Sequence, residues 1–204
     1  MLLFGLTGAY CAGKNLVAGL LEARALPVLD VDKLGYQVLE AEKEKIFSLF
    51  GSDLQKTDGS LDRRLLGRRV FGQPEKLAAL ENIVHPPVNR MTSEWIAGQN
   101  GSCVINAALL HRSSAFQRLD RIILVKAPFF TRLFRAKMRD KLPWREILKR
   151  FASQKDFYSQ YLSLNAEIYK VENPGLFASR SLHYKSKARQ KLERRIDEII
   201  EGIS

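Results

Sequence analysis

Short apolar runs alternate along this chain with longer stretches of helical period. Leu2–Leu6 is an apolar run stopped by glycines, the pattern of a buried parallel strand. Lys14–Ala25 follows with Leu16, Val17, Leu20 and Leu21 at helical spacing, and Val28–Leu29 leads to a strand end at Asp30-Val31-Asp32. Lys33–Phe50 and Leu61–Gly98 mix polar and apolar residues with helical period, interrupted near Thr57-Asp58-Gly59 and Gln73-Pro74. Cys103–Ile105 and Arg121–Val125 are further strands, the second being the clearest β run. Pro128 and Pro143 each open a helix. Ile168–Val171 is a short run before Asn173-Pro174-Gly175, and Leu182–Ile203 is a basic amphipathic helix.

Buried strands alternating with helices predict an α/β fold with a parallel sheet covered on both faces. The strandless stretch, residues 33–100, is then a helical lobe inserted between the second and third strands. At 204 residues the chain suits one domain, 1–204, carrying such lobes.

Gly8-Ala9-Tyr10-Cys11-Ala12-Gly13-Lys14-Asn15 lies between the first strand and the first helix and matches G-x-x-x-x-G-K in the setting that motif requires. Glycines let the loop wrap so that successive N–H groups point at phosphate oxygens. The helix N-terminus adds partial positive charge, and Lys14 a full one between the β- and γ-phosphates. The next position usually holds a hydroxyl for Mg²⁺. Here it is Asn15, whose amide oxygen is a legitimate hard ligand. Two readings stand: Asn15 serves the metal directly or through water, or it marks weakened metal binding.

Asp30 and Asp32 stand at a strand's carboxyl end, where open α/β sheets bind ligands. On an extended segment both side chains would project to one side. A catalytic base and a helix cap (Asp32 before Lys33) are both consistent with that position. Arg132, Arg135 and Arg139 follow Pro128 at helical spacing, with Arg145, Lys149 and Arg150 beyond Pro143. They suit a lid over phosphates, residues 128–155, or a solvated helix face.

Charge sharpens the picture once located. Residues 1–100 hold 12 Lys/Arg against 12 Asp/Glu, so the net charge of +11 lies entirely in the second half. That implies polyanionic partners, but no RNP-like run or helix-turn-helix is present, which disfavours nucleic acid in comparison with nucleotides. No stretch approaches a membrane span, and the start reads as a strand and not a signal peptide. Cys11 and Cys103 make no disulfide framework, so a reducing cytoplasm is expected. Cys11, near a helix N-terminus, is expected to have a lowered pKa and to be redox-sensitive.

Gly5-Leu6-Thr7-Gly8 running into the phosphate loop, Val28-Leu29-Asp30-Val31-Asp32, Leu61-Asp62-Arg63-Arg64-Leu65-Leu66-Gly67 with Val70-Phe71, and Ile83-Val84-His85-Pro86 occur in this order. Arg135…Arg139-Asp140, Arg150…Gln154 and Val171-Glu172-Asn173-Pro174-Gly175 follow. Over about residues 4–176 the set resembles the dephospho-CoA kinases. The resemblance implies a three-layer P-loop kinase with a parallel sheet, an inserted helical substrate lobe and a helical lid. It implies transfer of the ATP γ-phosphoryl group, with Mg²⁺, to the ribose 3′-hydroxyl of dephospho-CoA. Asp32 would be the base, with Lys14 and Arg139 at the transferred phosphate. Gly8, Cys11, Ala12, Gly13, Lys14, Asn15, Leu16, Arg139 and Asn173 would bind ATP, Asn173 near the adenine, while Asp32, Arg63 and His85 would hold dephospho-CoA. Without the family, a histidine before proline is an ordinary turn or cap. Asn15 departs from the family's Ser/Thr, and Ala108-Leu109-Leu110-His111-Arg112 departs from its Pro-Leu-Leu-x-Glu, so substrate contacts do not transfer there; His111 reads as a loop or cap residue. Another small P-loop nucleoside or nucleotide kinase, or a catalytically weak ATP-binding or nucleic-acid-associated protein, are the alternatives.

Overall fold

The computed structural model describes residues 1–162, 166–174 and 182–202. Its elements run β1 (Leu3–Gly8), α1 (Lys14–Glu22), β2 (Val28–Asp30), α2 (Val31–Ala41), α3 (Lys43–Phe50), α4 (Arg63–Val70), α5 (Pro74–Ala97), β3 (Cys103–Asn106), β4 (Arg121–Lys126), α6 (Phe129–Asp140), α7 (Trp144–Ala152), α8 (Ser159–Leu162), β5 (Glu167–Glu172) and α9 (Leu182–Glu201). Short 3₁₀ turns occupy Ser52–Leu54, Leu110–Arg112 and Phe116–Arg118. Gly175 and Ile203, two positions of the sequence motifs and tail, lie outside the described residues.

The strands form one parallel sheet in the order β2-β3-β1-β4-β5. β1 is central, with Leu3 paired to Cys103 on one side and Phe4 to Arg121 on the other. Every residue of β1 and β3 is buried, as helices on both faces require. The chain leaves β1 toward β3 and β2, then returns to β4 on the opposite side. Ligands of open α/β sheets sit where strand order reverses in this way, outside the carboxyl ends of the strands.

Contacts divide the chain into two units, Met1–Leu29 with Gln99–Ser204, and Asp30–Gly98. The core of the first gathers Phe4, Leu6, Val17, Leu21, Ile123 and Val125 with Leu192, Ile196 and Ile199. The basic tail is therefore a structural helix: its apolar stripe closes the core, and Arg24 pairs with Asp197. On its outer face Arg189 bonds Glu193 (2.7 Å) and Arg195 bonds Glu198 (2.7 Å), so part of its positive charge is answered within the helix.

The second unit packs Ile46, Phe47, Phe50, Leu54, Leu66 and Val70 together. Asp62 caps α4 by accepting from the N–H groups of Arg64 and Leu65, both at 2.9 Å. The stretch read as Leu61–Gly98 resolves into α4 and α5, parted at Gln73-Pro74. Two expectations are corrected here. Extended backbone ends at Asp30 and not at Asp32; Asp30 is the N-cap of α2, accepting from Lys33 N–H at 3.0 Å, so Asp32 lies in the first helical turn. His85 is in neither a turn nor a cap. It sits exposed in mid-α5, directly before Pro86 and Pro87, whose missing N–H groups leave the carbonyls of Asn82 and Ile83 without their helical donors.

Candidate active site

β1 delivers the chain into the loop at Gly8, which must lack a side chain because a Cβ there would meet Val125 O at 2.9 Å. The loop then makes two left-handed turns, at Cys11 (φ 60) and Gly13 (φ 94). Alternation into the left-handed region rolls the peptide planes so that N–H groups face a common centre, a geometry suited to anions. Ala12 is buried, and its N–H closes on Ala9 O at 2.8 Å. Lys14 is the first residue of α1, followed by Asn15 and by Leu16, which is exposed.

Two side chains pin the back of this loop. Arg135 on α6 donates from Nη1 to Cys11 O (3.3 Å) and Ala12 O (3.1 Å). Asn173, buried just past β5, donates from Nδ2 to Ala12 O (3.0 Å) and accepts at Oδ1 from Arg135 Nη2 (3.0 Å). Sequence reading set Asn173 beside the adenine; in the structure both ends of its amide are engaged in holding the loop. The fit is tight: a Cβ on Gly13 would stand 2.2 Å from Asn173 Nδ2.

At the front, Asn106 ends β3, almost fully buried. Its Oδ1 accepts from Lys14 Nζ at 2.9 Å, and its Nδ2 donates to Asn15 Oδ1 at 3.4 Å. One amide thus orients both residues at the loop's exit. Sequence reasoning stopped the strand at Ile105 and missed it. The available signal was a polar residue closing an apolar strand beside β1. Behind β1, Thr7 Oγ1 lies 3.4 Å from the hydroxyl of buried Tyr161, which lies 3.2 Å from His111 Nδ1. His111 was expected to be an ordinary loop residue; it closes this buried polar chain, and burial together with the Arg112 charge lowers its pKa.

The lid candidates meet the loop at Tyr10. Asp140 accepts from the Tyr10 hydroxyl, from Arg139 Nε (2.7 Å) and Nη2 (3.3 Å), and from Arg150 Nη1 (3.1 Å). The Arg139 guanidinium holds its carboxyl below the usual range, and Tyr10 and Arg150 add to this. Burial, then Asp140, pushes Tyr10 up, so its hydroxyl keeps its proton. Arg139 is pushed up by the same carboxylate. The Cys11 expectation is reversed. Burial raises its thiol pKa, with Asp140 adding, against the pull of Arg139, Arg135 and Arg132. A thiol held protonated is a poor nucleophile and a poor redox sensor.

In the Asp30–Gly98 unit, Arg63 opens α4 with its guanidinium 4.4 Å from the Tyr36 ring centroid. Both line a cavity of about 740 Å³ whose walls include Lys56, Arg64, Val70 and Phe71. Phe71 is 73% exposed there. The lining combines apolar side chains (Leu39, Leu66, Val70, Leu77, Leu80) with the cations Lys56, Arg63 and Arg64. Among the described residues no helix is long and apolar enough to cross a membrane.

The profile of the dephospho-CoA kinase family matches residues 2–166. A dephospho-CoA kinase of Treponema pallidum is 33% identical over 188 residues, covering 87% of this chain and 89% of the relative. A Thermus thermophilus crystal structure superposes with a TM-score of 0.80 at 31% identity, covering 100% of this chain and 98% of that one. The dephospho-CoA kinase of Campylobacter jejuni gives 0.67 at 26% identity, with 98% of each chain covered. A P-loop braced from both sides, set at the switch point of a five-stranded parallel sheet, thus occurs in a chain that belongs to the dephospho-CoA kinase family.

Proposed function

We propose that this chain transfers the γ-phosphoryl group of ATP to the ribose 3′-hydroxyl of dephospho-CoA, the last step of CoA synthesis. The observation that carries the reading is the family membership of a chain whose phosphate loop is intact and braced. The loop's N–H groups and the α1 N-terminus take the β- and γ-phosphates, and Lys14 adds charge between them. The 3′-oxygen forms a bond to the γ-phosphorus as the bond to the β–γ bridging oxygen breaks. Asp32 takes the hydroxyl proton and ADP leaves. Arg139 neutralises charge on the transferred group. Arg63, with the cavity it lines, and His85 hold the acceptor.

Mg²⁺ fits the donors present. Asn15 offers an amide oxygen beside Lys14, oriented by Asn106 Nδ2, and Mg²⁺ ordinarily takes only one or two protein oxygens, completing its shell with waters and phosphate oxygens. Asn15 Oδ1 would hold it, and when bound the ion supplies charge neutralisation across the phosphates.

The test is incubation with MgATP and, separately, dephospho-CoA, nucleosides and nucleotides, following ADP and the mass of the product. Phosphorylation of dephospho-CoA alone is expected; preference for a nucleoside would replace the acceptor assignment. Asp32→Asn should lower kcat by ~10²–10⁴, the usual cost of losing a general base. Asp30→Asn should cost far less, because Asp30 serves as a cap. A larger loss at Asp30 would reverse the two roles.

A further inference from the structure

Tyr10 is the loop residue for which phosphate binding gives no reason. Its N–H does not join the cradle but donates to Gln154 Oε1 at 2.6 Å. Its ring packs edge-on against Phe151, centroids 5.4 Å apart. The guanidinium carbons of Arg139 and Arg150 lie 5.3 and 5.7 Å from its ring centroid, and Arg150 Nη1 lies 3.4 Å from its hydroxyl. Its hydroxyl is on Asp140, whose side chain is only 14% exposed.

A carboxylate has about four acceptor positions. The described donors to Asp140 are Tyr10 Oη, Arg139 Nη2 and Arg150 Nη1 on Oδ2 and Arg139 Nε on Oδ1, so Oδ2 keeps two donors when Arg139 leaves. Arg139 takes two of those positions. For Arg139 to reach a triphosphate it must leave Asp140, and the carboxylate it leaves must remain satisfied in a partly buried place.

We propose that Tyr10 is a positioning residue for the ATP reaction: its hydroxyl, with Arg150, keeps Asp140 satisfied and α6 docked on the phosphate loop, so that Arg139 is released to the ATP phosphates. This rests on the reading of the loop as the ATP site. Tyr10 acts through Asp140 and touches no reacting atom. ATP must break the Arg139–Asp140 pair in either case; without the hydroxyl only Arg150 remains on the carboxylate when Arg139 departs, so the departure costs more. The ring's stacking on Phe151 and under the two guanidiniums is a separate, apolar contribution, which Tyr10→Phe leaves in place.

The experiment is calorimetric binding of MgADP and of a non-hydrolysable ATP analogue to the full chain, with steady-state kinetics alongside. The chains compared are the parent, Tyr10→Phe, Asp140→Asn, the double variant and Lys14→Ala. Tyr10→Phe should weaken analogue binding and raise the ATP KM about tenfold, the worth of one hydrogen bond to a charged group, while kcat changes less than about threefold. Analogue binding should suffer more than MgADP binding, because Arg139 serves the transferred phosphate. In Asp140→Asn the carboxylate is gone, so adding Tyr10→Phe should cost no further affinity. A purely structural tyrosine would give penalties that add. Parent-like analogue binding by Tyr10→Phe, or additive penalties in the double variant, overturns the proposal while the ATP-site reading stands. If Lys14→Ala binds the analogue as the parent does, the ATP-site reading itself fails and the proposal falls with it.

Discussion

Asn173→Ala probes the brace behind the phosphate loop. The substitution deletes two hydrogen bonds, Nδ2 to Ala12 O at 3.0 Å and Arg135 Nη2 to Oδ1 at 3.0 Å. The first joins neutral groups and contributes about 1 kcal/mol; the second has a charged donor and contributes about 1.5–3 kcal/mol. Arg135 keeps Ala12 O at 3.1 Å and the main-chain carbonyl of residue 173 at 3.5 Å, so the net loss should fall near the lower end, about 2–3 kcal/mol. For a chain of this size that is a drop in Tm of roughly 4–12 °C. Only the bond to Ala12 is felt directly by the loop, so ATP affinity should fall about fivefold, the factor equivalent to 1 kcal/mol.

Asn173→Asp separates the two functions. It keeps an oxygen for Arg135 and adds a charge that strengthens that pair, but it presents a carboxylate to Ala12 O where a donor stood. It should therefore be more stable than Asn173→Ala and bind ATP less well. Urea unfolding and calorimetric titration with a non-hydrolysable analogue give both quantities. If stability and affinity fall in parallel in the two variants, or if Asn173→Asp binds as the parent does, the brace is not what shapes the loop.

The remaining expectations concern single side chains. Lys14→Ala should abolish turnover while circular dichroism and Tm stay near the parent; activity within a few-fold would refute the phosphate assignment. Asn15→Ser should retain Mg²⁺-dependent activity and Asn15→Leu should raise the Mg²⁺ requirement sharply, read from initial rates and from analogue binding with and without Mg²⁺; a Leu form that titrates like the parent removes Asn15 from the metal. His111 has a folded pKa below its unfolded value near 6.5, so the stability it contributes is present above about pH 6.5 and lost as pH falls toward the folded pKa. Tm measured between pH 5 and 8 should drop on the acid side, and His111→Gln should flatten that slope.

The fold class was legible because buried strands and amphipathic helices leave unlike periods: β1, β4 and β5 and the proline-opened α6 and α7 all stand where the pattern put them. The phosphate loop was legible because glycine spacing is a backbone requirement, visible at Gly8 and Gly13. What stayed hidden depends on long-range partners. Asn106 meets Lys14 across 92 positions, Tyr10 meets Asp140 across 130, and Tyr161 meets Thr7 across 154; no local period encodes such pairs. Asp32 was misplaced for a different reason. A cap and a strand end use the same residue types, and only the dihedrals tell them apart (Asp30 at φ −85, ψ 95). The Cys11 error came from arguing from helix proximity alone, since burial outweighs three nearby arginines.

The contacts around the loop share a logic that bears on how a strongly basic site stays folded before its ligand arrives. Arg135 is held by the carbonyls of Cys11 and Ala12 and by the Asn173 amide, all neutral acceptors. A neutral acceptor fixes a guanidinium's direction without cancelling its charge. Arg135 can thus brace the loop and still contribute positive potential where the phosphates enter. The Asn106 amide oxygen is one neutral acceptor that helps to orient Lys14. Arg139 and Arg150 differ, for their described partner is the Asp140 carboxylate, which neutralises as well as orients. The distinction follows from what each residue must do. A residue that stays in place during turnover is served by a partner that leaves its field intact. A residue that must change partners is served by one that holds it until a stronger anion competes, and a triphosphate with several charges outcompetes one carboxylate already shared with Arg150 and Tyr10. Tyr10 belongs to the second arrangement, which explains an aromatic residue in a loop otherwise built from small ones.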